Sequence, residues 1–228
     1  MSKKPYPTYA AQIYLITPPH IDDLDAFAKL LAQTLQSAQV GCLQIRLKDT
    51  PRARIIEVAQ TLIPIAHAHG TAVLINDDPS IAAETSADGV HLGQSDMAAK
   101  GRDIKSVQDM LPEGSIIGVT CHNSKDLAFS AGSDGADYVA FGSFYASKTK
   151  PDARPADLEL LTWWHDTMQI PSVAIGGITV DNAQSVVAAG ADFIAISSGV
   201  WDHKDGAPQA VKLLWDICAQ HSRPARQS

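Results

Sequence analysis

Short runs rich in apolar and β-branched residues recur along the chain, each followed by polar or glycine positions and then by a helical pattern. Eight of these runs predict strands, over residues 12–16, 42–46, 72–75, 89–92, 116–119, 138–141, 172–175 and 193–196. Between the first two, Leu24, Phe27, Ala28, Leu31 and Leu35 form one apolar helical stripe. After the second, Ile55, Val58, Ala59, Leu62 and Ala66 form another. Pro64 interrupts that stripe, and a proline inside an ideal helix costs about 3 kcal/mol, which predicts a kink or a split there. The helix that follows Asp78-Pro79 is expected to be short.

Strict alternation of strand and helix requires parallel strands, because each crossover helix returns the chain to the same end of the sheet. Eight such units close on themselves, so the predicted fold is α/β, a (β/α)8 TIM barrel forming a single domain over residues 1–228. Residues 1–10 read as an N-terminal extension and residues 222–228 as a loose tail. A weak internal repeat supports the barrel: Ser86-Ala87-Asp88-Gly89-Val90, Gly135-Ala136-Asp137-Tyr138-Val139 and Gly190-Ala191-Asp192-Phe193-Ile194 each join a helix end to a strand. The first residue suits a left-handed helix terminus and the Asp can satisfy loop amides, which places the repeat on the N-terminal, stability face.

Composition narrows the function classes. With 45% hydrophobic and 19% charged residues among 228, the chain has ample material for a core, and disorder is excluded as its main state. Its 18 Lys+Arg against 25 Asp+Glu give a net charge of −7 with no basic run, which argues against nucleic acid or an anionic membrane as partner. Any phosphate must be held by a few aimed groups. Cys42, Cys121 and Cys218 are odd in number and far apart, so no disulfide framework or C-x-x-C motif is available and a reducing compartment is expected. The N-terminus lacks an apolar leader and no stretch reaches membrane-span length, so the expected location is cytoplasmic.

In such a barrel the chemistry belongs to the last residues of each strand and the first of each following loop. Those positions carry Gln44, Arg46 and Lys48, alternating onto one side, then Asn76, Asp77 and Asp78, then Gln94 and Asp96. Further on come Ser147, Lys148, Thr149 and Lys150, then Gly176 and Gly177, then Ser197, Ser198 and Gly199. Carboxylates beside cations suit Mg2+ on Asp77 and Asp96, bridging to substrate phosphates whose remaining charge falls to Arg46 and Lys48. Asp77-Asp78-Pro79 also reads as a helix cap ahead of an N1 proline, with Asp78 the better cap. The glycines of the seventh loop and Ser197-Ser198-Gly199 match the recurrent phosphate cradle of barrels.

Gln44-Ile45-Arg46-Leu47-Lys48, Ile75-Asn76-Asp77-Asp78, the 88–96 segment, Gly118-Val119-Thr120, Gly135-Ala136-Asp137-Tyr138-Val139, Thr149-Lys150 and Ala174-Ile175-Gly176-Gly177-Ile178-Thr179 occur in that order. The ordered set closely resembles thiamine-phosphate synthase, over nearly the whole chain. The resemblance implies Mg2+-dependent coupling of 4-amino-2-methyl-5-hydroxymethylpyrimidine diphosphate to a carboxylated thiazole phosphate, giving thiamine phosphate and pyrophosphate. It implies that Gln44, Arg46, Lys48, Asn76, Thr120 and Lys150 bind the pyrimidine diphosphate, with Arg46, Lys48 and Lys150 stabilising the leaving group. It likewise assigns Mg2+ to Asp77 and Asp96, and the thiazole phosphate to Ser147, Thr149, Gly177, Ser197 and Ser198. The implied partners are small phosphorylated substrates, and a homo-oligomer is compatible with the sequence.

The chain departs from the family pattern at Leu47, where Glu is usual, at Ser143 and Ala146, where prolines are usual, and at Thr120, where Ser is common. Thr120 keeps the hydroxyl. Two alternatives share the fold: a thiazole tautomerase-like isomerase using a histidine such as His122, and a non-catalytic barrel that senses thiazole phosphate. Neither needs the diphosphate set. His91, Cys42 and Cys121 read as core or wall residues. The long loop over residues 144–155 reads as a lid in which Lys150 faces the ligands and Lys148 alternates away.

Overall fold

In a computed structural model that describes residues 8–146 and 156–224, the eight apolar runs become the staves of one closed parallel barrel. In chain order they are β1 (Gln12–Ile16), β2 (Cys42–Ile45), β3 (Ala72–Asn76), β4 (Gly89–Gly93), β5 (Ile116–His122), β6 (Tyr138–Gly142), β7 (Ser172–Ile175) and β8 (Phe193–Ile196). Each pairs with the next, and β8 returns to β1 with Ile13 opposite Ile194. The intervening helices are α1 (Leu24–Ser37), α2 (Arg52–Ala68), α3 (Pro79–Thr85), α4 (Gln94–Ala99), α5 (Ile104–Gln108) and α6 (Lys125–Ser133). They continue with α7 (Leu158–Thr167), α8 (Ala183–Ala189), α9 (Ser198–Trp201) and α10 (Ala207–Gln220).

Period-two side-chain alternation divides the apolar residues between two cores. Ile13, Leu15, Leu43, Ile45, Val73 and Ile75 face outward into the layer beneath the helices. Tyr14, Cys42, Leu74, Tyr138, Val173 and Ala195 fill the barrel itself. Cys42, Cys121 and Cys218 are all buried and free. Gly118 makes room for one of the two inward tyrosines, since a Cβ there would lie 1.8 Å from the Tyr138 ring.

The α1 stripe buries Phe27, Leu31 and Leu35 as expected. In α2, Val58, Ala59, Leu62 and Ala66 are buried, but the helix is not split at Pro64. Pro64 and Gln60 are both exposed, so the carbonyl that the proline deprives of its donor lies where water can supply one. The short α3 begins at Pro79, and the Asp78 carboxylate accepts the N–H groups of Ser80 and Ile81.

The internal repeat proves to be a clamp. Asp88, Asp137 and Asp192 accept the backbone N–H of Val73, Ile117 and Ser172, each at 2.7 Å, and thereby brace the start of the preceding strand. The residue two positions before each Asp has a positive φ, 55° at Ser86, 99° at Gly135 and 110° at Gly190. In the remaining quarter of the barrel Gly41 holds the same backbone bond, donating to Ile13 O at 2.9 Å, but has no carboxylate. Part of the segment expected to be loose is paired: Arg223–Pro224 bridges Thr8–Tyr9 antiparallel.

Candidate active site

Polar side chains from β2 to β5, linked through Tyr14 of β1 and Tyr138 of β6 inside the barrel, form a continuous hydrogen-bonded chain. Gln44 is only 2% exposed, and its Nε2 donates to Asn76 Oδ1 at 2.7 Å. The Asn76 amide donates in turn to Asp77 Oδ2. On the other side Tyr14 OH donates to Gln44 Oε1 at 3.3 Å and lies 2.9 Å from the Tyr138 hydroxyl. Tyr138 OH is 2.7 Å from His91 Nδ1, and His91 Nε2 is 2.8 Å from Thr120 Oγ1. Buried polar groups are costly unless satisfied, and here each one is satisfied by the next.

Burial first, and the charge of Arg46 second, push the His91 imidazole down to about 4, so the ring is neutral at physiological pH. Arg46 is anchored through its backbone: its N–H donates to Thr17 Oγ1 at 2.9 Å and its carbonyl accepts from the same hydroxyl at 3.2 Å. Lys48 is half-buried, and its N–H donates to Pro19 O at 2.9 Å. Leu47 packs against the outer core, so the departure from the usual Glu leaves the inward series of Gln44 and Arg46 in place.

Asp77 takes a left-handed backbone, φ 61°, which turns it out of the helix-cap geometry that Asp78 adopts. Its Oδ1 accepts the Gly93 N–H at 2.9 Å, while Lys100 Nζ reaches its carbonyl at 3.2 Å. The cap reading therefore holds for Asp78 alone. For Asp78, burial raises the carboxyl, but the Ser80 hydroxyl and the Ile81 and Ser80 N–H groups outweigh it and hold the group below the usual carboxylate range. Asp96 lies in α4, on the loop side of β4; its side chain is outside the described residues.

Across the mouth, β7 and β8 end in two loops that touch. Gly176 and Gly177 have φ of 103° and 66°, values that disfavour any side chain. A Cβ on Gly177 would meet Ala146 O at 2.6 Å, and one on Gly199 would meet Ile178 O at 2.4 Å. Ser197 precedes α9 and its Oγ donates to Thr17 O at 3.0 Å, while Ser198 opens the helix with an N–H that has no intrahelical acceptor. Thr17 thus joins the backbone of Arg46 on one half of the rim to Ser197 on the other. The sixth loop is pinned at both ends: Phe144 and Tyr145 donate backbone N–H groups to Ile175 and Gly176, and Ala156 N–H donates to Ser143 O at 2.8 Å. Ser147, Thr149 and Lys150, with Lys148, lie outside the described residues.

Sequence reasoning missed three members of the polar chain, Tyr14, Tyr138 and His91. It also missed Asn182, whose side chain accepts Thr179 N–H and donates to Gly177 O at 3.0 Å, fixing the glycine loop. The signal for the first three was inward parity on their strands, which places them in line with Gln44 and Thr120. His122 stands exposed at the end of β5, past a register shift after Thr120. β5 thus runs to His122, beyond the residues 116–119 expected.

The donor set around Asp77 suits a hard cation. Its carboxylate oxygens are oriented by N–H groups, Oδ2 by Asn76 and Oδ1 by Gly93, and carboxylate oxygens are the ligands such a cation prefers. No group of three or more His, Cys, Asp or Glu side chains that could hold a metal occurs among the described residues. A cation here would complete its shell with water and ligand oxygens, the habit of Mg2+.

A closed parallel barrel with a charged, hydrogen-bonded mouth defines the class, a (β/α)8 barrel with its site at the strand C-termini. A family model described as thiamine monophosphate synthase matches residues 13–200, and the chain belongs to that family. Membership makes it an enzyme of the transferase class. It is 46% identical over 200 residues to the thiamine-phosphate synthase of Rhodospirillum centenum, covering 88% of this chain and 94% of the relative. With the thiamine-phosphate synthase of Hyphomonas neptunium it shares 47% identity over 218 residues, covering 94% and 96% of the two chains. Among solved structures, the thiamine phosphate pyrophosphorylase of Pyrococcus furiosus superposes with a TM-score of 0.79 at 30% identity, covering 92% of this chain and 96% of that one. No helix among the described residues is long and apolar enough to cross a membrane.

Proposed function

We propose that this protein couples 4-amino-2-methyl-5-hydroxymethylpyrimidine diphosphate to a thiazole phosphate, releasing pyrophosphate and forming thiamine phosphate, with Mg2+ as cofactor. The observation that carries the reading is the single hydrogen-bonded chain joining Gln44, Asn76, Asp77 and Thr120, in a member of this family. Resemblance assigns Gln44, Asn76 and Thr120 to the pyrimidine diphosphate and Asp77 to Mg2+, and the four residues are brought together from β2, the end of β3 and β5.

Bound at Asp77 and Asp96, Mg2+ would neutralise charge on the diphosphate as it leaves. Arg46, Lys48 and Lys150 bind the remaining phosphate oxygens and take up the negative charge that develops as the carbon–oxygen bond breaks. The aminopyrimidine stabilises the cationic methylene, so no protein nucleophile is required. Gly177, Ser197 and Ser198, with Ser147 and Thr149 from the sixth loop, hold the thiazole phosphate so that its ring nitrogen faces that carbon. Binding both partners on one rigid rim supplies the orientation that the addition needs. The loop bearing Ser147, Thr149 and Lys150 touches both substrates in this reading and closes when both are bound, excluding water that would capture the cation.

The test is incubation of the purified protein with both substrates and Mg2+, with and without EDTA. Thiamine phosphate and pyrophosphate should appear in equal amounts and only without chelator. Conversion of the thiazole alone, with no pyrophosphate released, would instead support an isomerase.

A further inference from the structure

The hydrogen-bonded chain across the barrel has one proton order that satisfies every member. Asp77 sets it, because a carboxylate accepts and does not donate. Asn76 must turn its NH2 to Asp77 and its Oδ1 to Gln44, which donates from Nε2 at 2.7 Å. Gln44 then faces Tyr14 with Oε1, and the one Tyr14 proton goes there at 3.3 Å. With that proton spent, the 2.9 Å contact between hydroxyls requires Tyr138 to donate to Tyr14. Tyr138 can therefore only accept across the 2.7 Å to His91 Nδ1, so Nδ1 carries the imidazole proton. A neutral ring protonated there has a bare Nε2, and the Thr120 hydroxyl, 2.8 Å away, donates to it. Thr120 has no second proton, and it is the member of the chain that meets the site from β5, half-buried where its neighbours Val119 and Cys121 are buried.

We propose that this chain presents Thr120 to the bound heterocycle as an acceptor alone, so that the site selects an N–H donor, an amino substituent over a ring carbonyl, with His91 and Tyr138 as positioning residues. The proposal rests on the pyrimidine reading above and deepens it. A carbonyl opposite Thr120 would set lone pair against lone pair, and a buried acceptor left unpaired weakens binding by on the order of tenfold to a hundredfold. The selecting information starts at Asp77 and travels through side chains that need never touch the ligand.

The test begins with the ligand-free full chain. Nitrogen-15 NMR of the labelled protein at neutral pH should show His91 with a protonated Nδ1 and a bare Nε2. An Nε2–H tautomer or an imidazolium overturns the proton order, and this measurement needs no variant. Tyr138→Phe removes the acceptor for Nδ1–H and should shift His91 towards the Nε2–H tautomer. Calorimetric titration, with Mg2+ and pyrophosphate present, then compares 4-amino-5-hydroxymethyl-2-methylpyrimidine with its 4-oxo counterpart. The wild type should favour the amino compound by about tenfold or more, and Tyr138→Phe should narrow that to within about threefold. Equal affinity for the two in the wild type, or an unchanged ratio in a folded Tyr138→Phe, overturns the selectivity. Failure of both compounds to bind while His91 gives the expected signals overturns the pyrimidine reading and the selectivity with it, but leaves the proton order standing.

Discussion

Asp77 Oδ1 accepts the Gly93 N–H at 2.9 Å, which ties the exit of β3 to the exit of β4. The next residue, Asp78, spends its carboxylate on the first turn of α3. Adjacent acids therefore serve separate ends, and their variants should separate. Asp77→Ala should abolish coupling, as should Asp96→Ala, while thiazole phosphate binding survives in both. Asp78→Ala should cost about 1 kcal/mol of stability, typical of a lost helix cap, and leave turnover of the folded protein within about twofold. Steady-state rates, thiazole phosphate titration and denaturant midpoints together check this. Loss of thiazole affinity in the Asp77 and Asp96 variants would argue against two separate halves of the rim.

The Asp78 carboxyl is held below its ordinary range, so its contribution to stability is present above the unfolded carboxylate value, about 4, and is lost as pH falls through the lower folded value. His91 acts in a higher window. With its folded value pushed down to about 4, the unfolded chain binds the proton and the folded chain does not between roughly 6.5 and 4. Stability should therefore fall as pH drops through that range, with a contribution from His91 of up to about 1.4 kcal/mol per pH unit. Urea midpoints across the range should be flatter in His91→Gln than in the wild type.

The clamps on the opposite face should matter for stability and not for chemistry. Asp192 accepts both the N–H and the hydroxyl of buried Ser172. Asp192→Ala should cost about 2 kcal/mol, within the range for an orphaned buried donor. Asp137→Ala leaves one N–H unpaired, that of Ile117, and should cost less. The kcat of the folded fraction should be unchanged in both, since the clamps stand at the opposite ends of the strands from the site.

The sixth loop offers a comparison between two lysines. Lys150→Ala should lower kcat/KM by on the order of a hundredfold, as for removal of one charge-stabilising donor, and Lys148→Ala should do far less. Pyrophosphate, Mg2+ and thiazole phosphate together should protect the loop from protease. Equal kinetics for the two variants, or unchanged cleavage, would count against a lid.

The sequence by itself determined the barrel: eight apolar runs alternating with helical stripes admit few parallel closures, and period-two parity already set Gln44 and Arg46 on the inner side. It also identified the repeated Asp at the strand entrances and preferred Asp78 over Asp77 as the cap, because both are local backbone accounting. What only the tertiary structure decided is contact between strands distant in the chain. Tyr14 meets Tyr138 across 124 residues, and nothing local to either tyrosine distinguishes it from an ordinary core aromatic. His91 likewise reads as a wall residue until Thr120 and Tyr138 are seen to take its two nitrogens. That the helix is not split at Pro64 was decided in the same way, since the proline's cost depends on whether the carbonyl one turn back faces core or water, and a helix acquires an inside only by packing.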